Sequence, residues 1–189
     1  MKLLYFLLLI SLLFSLYGQE ATSASAKTAK YVGVVKCKKC HKTVKQGKQF
    51  QIWSESKHAK AYETLKGEKA AKIAKEKGLA KPAYESPQCL KCHVTAYDAD
   101  ASLLGPKFKK EDGVQCEGCH GPGSLYKKKK IMKDRELAIQ KGLKFYSVED
   151  GSAEKLCRKC HNDESPTFKE FNFKERWEKI AHPVPKKKK

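Results

Sequence analysis

The eight cysteines of this chain occur only as four Cys-x-x-Cys pairs, and a histidine follows each pair at once: Cys37-Cys40-His41, Cys89-Cys92-His93, Cys116-Cys119-His120 and Cys157-Cys160-His161. Given the 6 histidines in 189 residues, chance puts a histidine after a given cysteine about 3% of the time, so four in four is roughly a one-in-a-million coincidence. The spacing carries its own chemistry. On a helical turn, positions i and i+3 project from one face and i+4 lies beside them. Two thiols so placed grip one edge of a flat macrocycle, and the next imidazole reaches beneath its centre. That is the attachment pattern of haem c: two thioether bonds to the porphyrin vinyl groups and a histidine nitrogen on the iron. A zinc site needs two such pairs to converge and gives no reason for the histidines. An iron–sulfur cluster or a disulfide framework gives none either. Four covalent haem c groups are therefore expected, with His41, His93, His120 and His161 on their irons.

The rest of the chain is read around that expectation. Lys2 precedes an apolar run, Leu3 to Leu16, broken only by Ser11 and Ser15; small residues follow at Gly18 and from Ala21 to Ala26. This reads as a signal peptide over 1–26, cleaved after Gly18 or Ala26, because the run falls short of the ~20 residues of a membrane span. Export to the periplasm is expected. A single haem-binding domain over 27–185 and a basic tail over 186–189 account for the remainder. Four haems then leave roughly 40 residues each, so porphyrin must supply most of the core. The expected fold is mainly α: short helices and long loops wrapped round the haems. Helices are expected over Thr43 to Leu65 (as one or two), Glu68 to Lys77 and Arg135 to Lys141, the last ending at Gly142. Ser152 reads as the cap of a short helix presenting Cys157 and His161. Asn172 with Glu175 makes a capping-box-like start for Phe173 to Ala181, stopped by Pro183. Phe173, Trp177 and Ile180 share a face of that helix. Pro82, Pro87, Gly105-Pro106 and Gly121-Pro122-Gly123 mark loops.

Counting bounds the sixth ligands. Six histidines less the four proximal ones leaves His58 and His182, so two haems at most are bis-histidine within one chain. Of the two methionines, Met1 leaves with the signal peptide, and Met132 is the remaining thioether candidate. At least one iron then has neither ligand, unless a lysine such as Lys130, the new N-terminus or another chain intervenes.

The segments flanking these motifs resemble the tetrahaem cytochrome c-554 family, from about Tyr31 to His182. The similarity lies in Cys37 to Lys42, Trp53, Ser56 to Ala61, Cys92-His93-Val94, Gly113 to Gly123, Cys160-His161-Asn162, Ser165-Pro166 and Phe171-Asn172-Phe173. The resemblance implies a mainly helical fold with closely packed haem pairs. It implies three bis-histidine haems and an open iron at the second motif. On it, His58 would serve the haem of Cys116 and Cys119, and His182 that of Cys157 and Cys160. The family's further histidine, about ten residues past the third motif, is replaced here by the run Lys127 to Lys130. The first haem is thus left to lysine, to Met132 or open.

Charge points to partners. The formal net charge is +19, from 40 basic and 21 acidic residues. Each ferric haem brings about one negative charge, so the holoprotein stays near about +15. Redox proteins with acidic docking surfaces are the expected partners, an anionic membrane surface is a second, and nucleic acid is not expected for an exported cytochrome. Single-electron transfer between proteins is the expected function. The alternative is an enzyme that binds or reduces nitric oxide, hydroxylamine or peroxide at an open haem. No distal acid–base set is recognisable near the motifs, and all four end in histidine, which favours transfer.

Overall fold

The computed structural model describes residues 27–182. The expected signal peptide, Pro183 and the basic tail lie outside the described residues. Within them the chain is mainly α-helical and forms no strand; one isolated parallel bridge joins Tyr31 to Leu104. The helices are α1 (Val34–His41), α2 (Gln49–Glu55), α3 (Glu68–Glu76), α4 (Pro87–His93), α5 (Cys116–His120), α6 (Lys129–Met132), α7 (Arg135–Gln140), α8 (Ser152–Cys157) and α9 (Phe173–Ile180). Several single 3-10 turns connect them. Helices this short do not stand alone in water, so tertiary contacts must hold them.

Local sequence explains most of the boundaries, and three differ from expectation. The stretch Thr43 to Leu65 does not run as helix. Gly47 and Lys48 both take left-handed backbone (φ 94° and 52°), and Ser56 is extended, so only α2 is α-helical there. Pro87 opens α4 rather than lying in a loop, since the first helical position needs no N–H partner. Ser152 does not cap α8. Gly151 takes the capping position, Asp150 Oδ1 accepts from Ser152 N–H at 2.8 Å, and Ser152 Oγ accepts from Ser147 N–H at 2.9 Å. At α9 the expected cap is present: Asn172 Oδ1 accepts from Glu175 N–H at 3.2 Å. Glu175 does not complete the box, because its carboxylate pairs with Lys179 at 2.6 Å. Phe173 and Trp177 lie against each other on one face, ring centroids 5.8 Å apart.

The polypeptide's own core is thin. Among the described residues two small clusters form, Leu65 with Ala74 and Ala83, and Tyr126 with Ile131 and Ala138, while Val32, Val34, Tyr62, Val94 and Ala153 are buried outside them. Large apolar groups such as Val44, Phe145 and Phe168 remain exposed. A chain of this length ordinarily buries far more of its apolar surface. The five ion pairs among the described residues all lie at the surface, where such pairs add little to stability.

Candidate haem sites

The first three motifs each end a helix, with the histidine as last helical residue of α1, α4 and α5. The fourth begins at the last residue of α8 and continues through turns to His161. The cysteines are free thiols. They do not converge on a tetrahedral site: among the described residues no three His, Cys, Asp or Glu side chains are grouped to hold a bare metal ion.

Contacts between thiols show which motifs are neighbours. Cys37 lies beside Cys116; their proximity, with burial, holds the Cys37 thiol far above its usual range, while the same proximity lowers that of Cys116. Cys160 lies beside Cys92 and, mainly through burial, is pushed up to about 12. Burial pushes Cys119 up to about 11, with Cys157 close enough to add to it. Lys91, inside the second motif, pairs with Glu164, three residues past His161. In space the motifs therefore follow one another in the order first, third, fourth, second.

Histidine geometry supplies the fit test for the haem irons. The rings of His58 and His161 stand 6.1 Å apart, and those of His120 and His182 stand 5.8 Å apart, both edge to face. Two imidazoles holding one metal, each by a bond of about 2 Å, have centroids about 6 Å apart. The ring nitrogens agree. Nδ1 of His93, His120 and His182 lies 2.7, 2.9 and 2.9 Å from the carbonyls of Ala61, Lys144 and Ile180. His41 Nδ1 meets Gln49 Oε1 at 3.3 Å. With Nδ1–H donating to these oxygens, Nε2 is the ring nitrogen left to meet an iron. Burial lowers the pKa of His58, His120 and His161, which keeps them neutral as well. Phe171 stacks on His161 at 4.6 Å and holds its plane. The residues fit the group.

The pairing reverses the one implied by resemblance. His58 faces His161, not His120, and His182 faces His120, not His161. Val114 explains the first of these. Its N–H donates to His58 carbonyl at 3.0 Å and its carbonyl accepts from Trp53 Nε1 at 2.8 Å, so the chain before the third motif clamps the backbone of His58. Gly113 permits this approach, with φ 67° and a missing Cβ that would lie 2.6 Å from His58 carbonyl. Met132 packs with the Tyr126–Ile131–Ala138 cluster, and Lys130 is exposed.

Two site residues escaped the sequence reading. Glu117, between the cysteines of the third motif, is 2% exposed. Its carboxylate accepts from Val32 N–H (2.8 and 3.0 Å), Gly33 N–H (2.8 Å) and Gly123 N–H (2.7 Å). Gln115 is 1% exposed; Oε1 accepts from Val34 N–H at 3.0 Å and Nε2 donates to Lys109 carbonyl at 2.7 Å. Together they bolt the start of α1 to α5, and so the first motif to the third. Gly123 was the available signal: a Cβ there would lie 3.1 Å from Glu117 Oε1, so only glycine lets its backbone come this close to the carboxylate.

Residues 36–121 match the family described as cytochrome c554 and c-prime. Over this segment the chain is similar to the cytochrome c554 family. Cytochrome c-554 of Nitrosomonas europaea is 38% identical to it over 84 residues, 42% of this chain and 35% of the relative. The alignment thus spans about a third of the curated relative's length. No solved structure matches the chain. The similarity to the cytochrome c554 family supports a c-type cytochrome with covalently bound haem c. The matched segment contains the first three motifs and His58; the fourth motif and His182 lie beyond it.

Proposed function

We propose that the chain is an exported four-haem cytochrome that carries single electrons between protein partners. The observation that carries this reading is the unbroken succession of four attachment motifs, each touching the next, with a facing pair of histidines at each of the two inner ones. Cys37 and Cys40, Cys89 and Cys92, Cys116 and Cys119, and Cys157 and Cys160 would hold the porphyrins; His41, His93, His120 and His161 would ligate the irons, with His182 and His58 opposite His120 and His161. Haem supplies reversible one-electron exchange between ferric and ferrous iron. The polypeptide sets ring planes and tautomers through the Nδ1 contacts and fixes spacing through Gln115, Glu117 and the Lys91–Glu164 pair. Imidazole on both faces keeps an iron low-spin and little changed on reduction, which suits a carrier.

The reading places the protein in the periplasm. Among the described residues no helix is long and apolar enough to cross a membrane. Lys127 to Lys130 are all exposed and, with the net charge of +19, suit an acidic docking face. Mass spectrometry of protein from a haem-competent host should show the processed chain plus four haems; a smaller increment removes the four-haem assignment. In stopped-flow mixing with an acidic one-electron acceptor protein, the second-order rate should fall about tenfold or more between ~20 and ~200 mM salt. A rate indifferent to salt would remove the acidic partner.

A further inference from the structure

The pairing uses up the histidines in a particular way. His58 and His182 face the fourth and third motifs, the inner two of the spatial series. None remains for His41 at one end or His93 at the other. Resting on the four-haem reading, we propose that the first motif holds an iron open to a small exogenous ligand on the face opposite His41, so that the series ends in an open iron on both sides. The resemblance implies such an iron at the second motif alone.

The surroundings of the first motif support this. The elements most closely packed on α1 are α2 and α5. Along α2 the residues are Gln49, Phe50, Gln51, Ile52, Trp53, Ser54 and Glu55, with no histidine, methionine or lysine among them. On α5 the one nitrogen or thioether ligand is His120, already facing His182. Met132 is engaged in an apolar cluster. Lys127 to Lys130 are exposed to solvent. Carbon monoxide and nitric oxide need no proton loss to bind ferrous iron, and they are the ligand class such a site takes.

The test is a count. Holoprotein shown by mass to carry four haems is reduced with dithionite and titrated with carbon monoxide, following the Soret band. About two equivalents per chain are expected, and electron paramagnetic resonance of the oxidised protein should show about two high-spin and two low-spin irons. One equivalent, or three low-spin irons, overturns the proposal, whether lysine, Met132 or another group fills the site. His58→Ala and His182→Ala, each checked for haem content, should each raise uptake to about three equivalents. Uptake that stays at two in both variants means that the open irons are not those at the ends, and the proposal fails. A holoprotein with fewer than four haems sinks the underlying reading first, and is told apart by its mass.

Discussion

Replacing Glu117 with alanine should destabilise the holoprotein by about 3–9 kcal/mol, since three buried N–H groups lose their acceptor at about 1–3 kcal/mol each. Val32, Gly33 and Gly123 all donate to this one carboxylate, and among the described residues no basic side chain pairs with it. The carboxylate is held by converging backbone dipoles. Against the 5–15 kcal/mol typical of a domain, the loss would be large enough to leave the first motif untethered from the third at ambient temperature. Glu117→Gln should fall between, at about 2–3 kcal/mol, because the amide keeps one acceptor oxygen and turns an NH2 toward a donor. Urea unfolding followed by tryptophan fluorescence reads both. A loss under about 1 kcal/mol for the alanine variant would show that water reaches the three N–H groups and that the carboxylate is not the tether.

Gly113→Ala should cost about 3 kcal/mol or more, and it should also alter a spectrum. At φ 67° and ψ −135° the backbone is in a region that side chains avoid. The added methyl would meet His58 carbonyl at 2.6 Å and Ala61 N at 3.2 Å. Either the turn moves, and Val114 releases its hold on His58 and Trp53, or His58 is driven away from His161. Both outcomes separate the imidazoles, so one low-spin signal should become high-spin on oxidation, as for direct loss of the ring. The control is Gly78→Ala. That glycine also has positive φ (62°), but nothing lies within 4 Å of an added Cβ, so it should show backbone strain of about 1 kcal/mol and no spectral change. Equal spectral effects at both positions would detach the clamp from the ligand geometry.

What could be read without coordinates was what is local. A motif five residues long announces its own chemistry, and short helices with glycine or proline at their ends announce themselves by composition. Thr43 to Leu65 failed because its apolar periodicity concealed a left-handed Lys48, a conformation no propensity assigns to lysine. Pro87 and Ser152 were misplaced by one position, since loop and first helical turn share the same residue preferences. The partners of His58 and His182 were out of reach for a different reason. Their choice depends on how Val114 docks against His58 from the far side of the chain, and inventory can say how many histidines remain but not which way each faces. Glu117 was concealed by its setting, because an acidic residue between two cysteines of a helical turn would ordinarily face solvent.

The zigzag order of the motifs bears on how such a molecule comes to exist. Beads strung first, second, third, fourth along the thread must be worn in another sequence once the thread is knotted up, so no early portion of the nascent polypeptide can settle into its final form by itself. His58 waits for a partner threaded near the far end, and His120 for one later still. On the four-haem reading, haem attachment would come before compaction, and the segment carrying His182 would dock after the three earlier motifs are in place.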